Sequence, residues 1–139
     1  MNNVSTGYIV EVINKFVPLA NSDIPISDNI YNLVSAYRES GQFICVGEEG
    51  KGGIIGVVSN AWFNPEIVTV QELGWWVEPE YRGTTFAIKV LKAFEKEAKA
   101  IGASKVMMLS LDSLSPEVLH SMYLRLGYSK LENLYIKEV

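Results

Sequence analysis

The sequence predicts an α/β domain in which one mixed β-sheet carries helices on both faces. Three observations predict it. Two apolar stripes at helical spacing open the chain, β-branched and aromatic runs fill its middle, and helix and strand patterns alternate from there to the end. Short turns between the middle runs make those strands antiparallel. A later helix between two strands forces a crossover, which makes its strands parallel. A sheet of both kinds buries its two faces under helices.

Ile9, Val12, Ile13, Phe16 and Val17 recur at helical spacing before Pro18, so the first helix ends near Pro18 to Ala20. Ser27-Asp28-Asn29 offers N-cap side chains to a second helix, with the stripe Ile30, Leu33, Val34 and Tyr37 and a stop at Gly41. The period then changes. Residues 43–46, 53–58 and 67–77 read as three antiparallel strands, separated by 48–52 and by Asn64-Pro65, and Pro79 closes the third. Ala87, Val90, Leu91, Phe94, Ala98 and Ile101 mark one face of a helix that Gly102 ends. Residues 105–111 form a short apolar run, predicted to be a buried strand parallel to its predecessor. Ser115-Pro116-Glu117 combines an N-cap, a proline at the first helical position and an early carboxylate, and the helix it starts stops at Gly127. Residues 128–131 and 134–139 then read as two strands around Glu132-Asn133.

At 139 residues the chain has the length of one domain, spanning 1–139, with one active centre. A net charge of −4 with no run of Lys or Arg argues against a nucleic-acid partner. The single cysteine, Cys45, lies in an apolar run, which excludes an intramolecular disulfide and predicts a small buried thiol in a reducing compartment. The first residues lack a basic-then-apolar layout and no apolar run has membrane-spanning length, so the expected location is the cytoplasm with no membrane partner.

The chemistry-bearing stretch is Leu73-Gly74-Trp75-Trp76-Val77-Glu78-Pro79-Glu80-Tyr81-Arg82-Gly83, which leads from a strand into a helix. A tight turn feeding a helix N-terminus aims free backbone N–H groups at one spot, where the dipole adds about half a positive charge. That is an anion site, and a pyrophosphate suits it. Gly83 allows close approach and Arg82 is the nearby cation. Neither G-x-x-x-x-G-K-[ST] nor G-x-G-x-x-G is present, which sets aside the corresponding nucleotide classes.

The run from Val77 to Ala87 resembles the acyl-CoA signature of the GNAT N-acetyltransferase superfamily, [QR]-x-x-G-x-[GA] after a strand ending V-x-P-x-x. Arg82 and Ala87 match its ends, and Thr85 replaces its central glycine. Met122-Tyr123-Leu124-Arg125-Leu126-Gly127-Tyr128 resembles the family's L-Y-x-x-x-G-[FY] segment. The resemblance covers 42–139. Family members begin with a strand that this chain has little room for, so an absent or abbreviated sheet edge is implied.

The resemblance implies a GNAT fold and acetyl-CoA as acyl-donor substrate, its pantetheine arm lying where the strand before the signature splays from its parallel neighbour. Trp75, Trp76 and Val77 would bond that arm through their backbone. Arg82, Gly83, Thr84, Thr85, Phe86 and Ala87 would hold the pyrophosphate. Ser113 and Ser115 stand where the family often has a cofactor-contacting asparagine, although Ser115 also reads as a plain N-cap.

Acyl transfer to an amine needs a neutral nucleophile, a donor for the thioester oxygen and an acid for the departing thiolate. Tyr123 matches the family's usual acid, and a core tyrosine is the alternative. Glu72 stands where some members carry the base. Strict alternation, with Leu73, Trp75 and Val77 on one face, would place Glu72 on the other with Val70, Gly74 and Trp76; a solvated strand carboxylate is the alternative. Glu78 and Glu80 read as exposed turn residues and His120 as a surface residue. No metal-ligand spacing appears, so no metal is expected.

Trp62, Phe63 and Asn64-Pro65 read as a loop that either borders the acceptor pocket or serves a homodimer contact. The leading function is acetyl transfer from acetyl-CoA to a primary amine, on a small molecule or a peptide, in a ternary complex. Its rivals are a non-catalytic acyl-CoA-binding or protein-interaction module and an assembly subunit that no longer binds the cofactor.

Overall fold

The computed structural model describes all residues except 2–3, 21–22 and 111–115. The chain forms two compact units, Met1–Leu109 and Ser110–Val139.

The first unit opens with α1 (Thr6–Ala20), which carries Pro18 in its last turn, and α2 (Ile30–Glu39). Asn29 precedes α2 without capping it; its side chain instead accepts a hydrogen bond from the Asn32 amide at 2.7 Å. Three antiparallel strands follow, β1 (Phe43–Glu48), β2 (Gly52–Ala61) and β3 (Asn64–Val77), then α3 (Phe86–Ala100) and β4 (Lys105–Met107). The sheet order is β1-β2-β3-β4, with β4 parallel to β3 as the crossover through α3 requires.

No strand precedes α1 among the described residues. β1 is the sheet edge, and the Gly47 N–H donates to the Met1 carbonyl at 2.8 Å, one backbone bond where the sheet would otherwise gain a strand.

Two elements differ from the sequence reading. The β2–β3 turn is Trp62-Phe63 alone, and Asn64 and Pro65 already belong to β3. Proline is tolerated at this strand end, where its carbonyl accepts from the Asn60 side chain at 2.7 Å. Of the expected run 105–111, β4 covers Lys105–Met107 and residues 108–110 are not strand, while residue 111 lies outside the described residues; β3, its partner, becomes irregular just past the paired segment Thr69–Gln71.

Helices lie on both faces of the sheet. On one, Tyr8, Ile9 and Val12 of α1 and Val34 of α2 form a core with Cys45 and Ile55, joined by the partly buried Phe43 and Trp76. The Cys45 thiol is buried, which pushes it up to about 11. On the other face α3 buries Phe86, Val90, Leu91, Phe94 and Ala98, and the Phe94 ring occupies the space a side chain at Gly56 would need. No helix among the described residues is long and apolar enough to cross a membrane.

The second unit contains α4 (Pro116–Arg125) and a tail. Residues 128–131 and 134–139 carry the apolar alternation of strands but form none. A strand needs a partner ladder for its N–H and C=O groups. Among the described residues this unit offers none, and Leu134, Tyr135 and Ile136 are exposed.

Candidate active site

The site begins with an irregularity in β3. Gly56 pairs with Glu72 but the neighbouring Ile55 pairs with Gly74, so Leu73 is an extra residue, a β-bulge. Face alternation changes hands there. Val70 and Glu72 lie on the face that carries α3. Beyond the bulge that face is taken by Trp75, opposite Ile54, and by Val77, opposite Gly52, while Gly74 meets the Phe16 ring and Trp76 joins the α1 and α2 core. This corrects the expectation that Gly74 and Trp76 share the face of Glu72. Period-2 alternation holds only where the ladder has no extra residue.

The bulge also marks where β3 loses its second neighbour. β4 pairs with it at Thr69, Val70 and Gln71, and from Glu72 to Val77 no strand among the described residues lies on that side. Among the described residues no ladder partner takes up the backbone groups along that edge.

Glu72 is only 4% exposed, and its carboxylate accepts a hydrogen bond from the Leu109 backbone. Burial outweighs that bond and pushes the carboxyl up to about 7. A group at that value is half ionised near neutral pH, which suits a proton acceptor.

Glu78 is buried as well, against the expectation of an exposed turn residue; Glu80 is exposed as expected. The Lys15 ammonium donates to Glu78 at 2.6 Å and the Tyr8 hydroxyl at 3.2 Å. Burial by itself pushes this carboxyl up, but Lys15, Trp76 and Tyr8 together outweigh it and hold the group below the usual carboxylate range. The Tyr8 hydroxyl is pushed far above its usual value, by burial first and then by Glu78. Once the bulge is placed, alternation carries Gly74, Trp76 and Glu78 to the face of α1. That was the signal for Glu78, and it is hidden without the bulge.

A 3-10 turn, Pro79–Tyr81, leads from β3 to α3. Gly83 takes φ 76°, a left-handed conformation that costs another residue about 1–2 kcal/mol. The Thr84 hydroxyl donates to the Tyr81 carbonyl at 2.6 Å and accepts from the Phe86 N–H at 3.2 Å. The first helical bond runs from the Lys89 N–H to the Thr85 carbonyl, so the N–H groups of Ala87 and Ile88 have no acceptor within the helix. Those two donors point along the positive end of the dipole. The Phe86 ring is buried and packs near Tyr81.

Thr85, the departure from the signature, has φ −75° and ψ −4°. Any residue adopts that backbone, so the loop conformation does not require glycine there. Arg82 is exposed; its Nε donates to the Val77 carbonyl at 2.8 Å and its guanidinium carbon lies 4.8 Å from the Trp76 ring centroid.

In the second unit, Tyr123 is the buried residue of α4. Gly127, at φ 90°, wraps the chain back so that the Tyr128 N–H donates to the Tyr123 carbonyl at 3.0 Å and the Gly127 N–H to that of Leu124 at 3.2 Å. The same wrap brings the rings of Tyr123 and Tyr128 to 5.4 Å. The Tyr-x-x-x-Gly-Tyr spacing is thus a helix-closing device that fixes the Tyr123 ring. His120 is exposed, as expected. Ser113 and Ser115 lie outside the described residues.

The family model described as Acetyltransferase (GNAT) family matches residues 10–128 of this chain. The chain belongs to the GNAT family. No curated protein matches it by sequence. Solved structures place the fold with the same family: an aminoglycoside acetyltransferase from an uncultured soil metagenomic sample has a TM-score of 0.71 at 16% identity, covering 98% of this chain and 95% of that one. Glucosamine-6-phosphate N-acetyltransferase from Arabidopsis thaliana gives 0.70 at 13%, covering 97% and 94%. A predicted acetyltransferase from Clostridium acetobutylicum, solved with acetyl-CoA, gives 0.63 at 13%, covering 97% and 92%. This GNAT chain shares their mixed sheet and flanking helices, with β3 and α3 framing the candidate site.

Proposed function

We propose that this GNAT chain, acting as one catalytic domain, transfers an acetyl group from acetyl-CoA to a primary amine by direct attack in a ternary complex. The observation that carries the reading is Glu72, a buried carboxyl moved to about 7 at the point where β3 bulges and one of its edges opens. Structural carboxylates on strands are ordinarily solvated or paired with a cation; this one is buried, and no cation pairs with it among the described residues.

The residues fit the donor in two places. The Ala87 and Ile88 N–H groups at the start of α3, with Arg82 beside them, suit a pyrophosphate, and Gly83 adds no side chain there. The edge from Trp75 to Val77, which no strand pairs with among the described residues, suits the amide groups of a pantetheine arm. Bound acetyl-CoA would supply an activated acyl carbon and a thiolate leaving group. Glu72 takes the proton of the attacking amine as the carbon–nitrogen bond forms. Tyr123 gives its proton to the sulfur as the carbon–sulfur bond breaks.

Thr85 gives the non-catalytic module its main support, and its ordinary backbone weakens that support. Titration calorimetry with acetyl-CoA and with free CoA tests the proposal. Micromolar binding of both, followed by amine-dependent thiol release, is the expected result. A folded sample that binds neither would leave the interaction module as the better reading.

A further inference from the structure

We infer that Lys15 of α1 serves the donor site through Glu78: it cancels the charge of a carboxylate buried at the end of β3, which would otherwise oppose the phosphates held beside Arg82. The inference rests on acetyl-CoA as the donor and adds to its site a residue far from the signature in sequence.

Glu78 stands where two demands meet. It ties α1 to the strand end, since its carboxylate accepts from the Lys15 ammonium at 2.6 Å and from the Tyr8 hydroxyl at 3.2 Å. It also opens the turn into α3: its N–H donates to the Lys51 carbonyl at 2.8 Å, and its carbonyl accepts from the Tyr81 N–H at 2.9 Å. The attachment therefore puts an anion in the same loop as Arg82, where a diphosphate is to bind. Charges that are partly buried are screened less by salt than exposed ones.

One indole joins this pair to the cation of the site. The Lys15 ammonium lies 6.0 Å from the centroid of the Trp76 ring, and the Arg82 guanidinium carbon lies 4.8 Å from the same centroid. The two cations are thus within about 11 Å of each other, close to the ~10 Å over which a charge is felt at 0.1 M salt. Glu78 is bonded to one of them and precedes the other in the turn.

The other groups nearby do not supply the counter-charge. Tyr8 donates a hydrogen bond and no charge, and the Lys51 ammonium is paired with Glu48 at 2.8 Å. Lys15 is the cation that answers Glu78 among the described residues. The Lys15 side chain is 42% exposed and that of Glu78 12%, so loss of Lys15 leaves the more buried member uncompensated, with little water to take the place of the ammonium.

Calorimetry with free CoA on the full chain tests this. Lys15→Met should weaken the dissociation constant by roughly fivefold, the effect of one uncompensated charge about 10 Å from a diphosphate at a dielectric between those of protein and water. Lys15→Gln replaces it if that variant does not fold, and Lys15→Arg, which keeps the charge, should bind as the parent does. Glu78→Gln removes the anion and should bind CoA at least as tightly as the parent. Lys15→Met combined with Glu78→Gln should return to within about twofold of the parent. A role in packing alone predicts a different order, because each of these variants breaks the same tie between α1 and β3 and all would weaken binding alike. Equal affinity in Lys15→Met and the parent, or a double variant as weak as Lys15→Met, overturns the inference and leaves the acetyl-transfer reading intact. A folded parent that binds neither CoA nor acetyl-CoA overturns that reading and this inference with it.

Discussion

The Arg82 guanidinium is held twice, by the face of the Trp76 ring at 4.8 Å and by the Val77 carbonyl, to which its Nε donates at 2.8 Å. Both restraints come from the last two residues of β3, so the strand end sets the position of the cation beside α3. Trp76→Leu should therefore weaken acetyl-CoA binding by roughly fivefold, the equivalent of about 1 kcal/mol for a cation over an aromatic ring. Trp76→Phe should retain most of the affinity. Calorimetry at two salt concentrations, with circular dichroism to verify folding, checks this; an unchanged dissociation constant in Trp76→Leu would end the positioning role.

Glu72 predicts a pH profile. As base it must be ionised, so kcat/KM should climb with pH through a midpoint near 7, well below the range where a simple alkylamine loses its proton. Glu72→Gln should remove that limb and lower turnover by about a hundredfold or more. Stability moves the other way. The folded value lies above the unfolded one of about 4.3, so the native state binds the proton more tightly. Stability is lost as pH rises through that interval toward 7, and Glu72→Gln should be the more stable protein at pH 8 by denaturant titration.

Tyr123→Phe keeps the ring, its packing on Tyr128 and the backbone closure at Gly127, and removes only the hydroxyl. Turnover should fall by about a hundredfold with cofactor affinity nearly unchanged. Equal steady-state rates for the two proteins would return Tyr123 to a packing role.

Lys15 and Glu78 form a partly buried pair, and Lys15 is the more exposed member. Lys15→Ala leaves the carboxylate with Tyr8 alone among its side-chain donors on α1 and should cost about 1–2 kcal/mol, reduced from the fully buried case by solvent at the ammonium. Because the Glu78 carboxyl is depressed in the folded state, its contribution is present above the unfolded value and disappears as pH falls through the folded one. Thermal melts between pH 3 and 7 should show the gap between parent and Lys15→Ala closing at the acid end.

Gly56 faces α3 with no room for a methyl group: a Cβ would sit 2.5 Å from the Phe94 ring. Phe94 is fully buried, so its ring cannot swing out to solvent without uncovering the α3 core. Gly56→Ala is expected to destabilise by about 1–3 kcal/mol, seen as a lower urea midpoint with an unchanged slope.

The sequence reading succeeded where signals are local. The α3 stripe, the stops at Gly41, Gly102 and Gly127, and the turn into α3 depend on residues within a few positions of one another. It failed where partners are distant. Glu78 is buried by Tyr8 and Lys15, 70 and 63 residues away, and nothing near Glu78 announces them. The bulge escaped because Leu73 is apolar within an apolar run and leaves no break in pattern. Residues 128–139 have the composition of strands, but composition supplies side chains and not a ladder partner.

Leu73 gives β3 a switch of parity. Before it, even-numbered residues from Val70 to Glu72 face α3; after it, the odd-numbered Trp75 and Val77 do. Deleting this one leucine would leave Gly56 opposite Glu72 and Ile55 opposite Gly74 as consecutive pairs, so the ladder would become regular and every other side chain of β3 would keep its face. What the deletion removes is the bend and added twist of the bulge, at the point where β4 stops pairing with β3. The leucine thus shapes the course of the strand and not the sorting of its side chains, and its loss would straighten β3 where the edge opens.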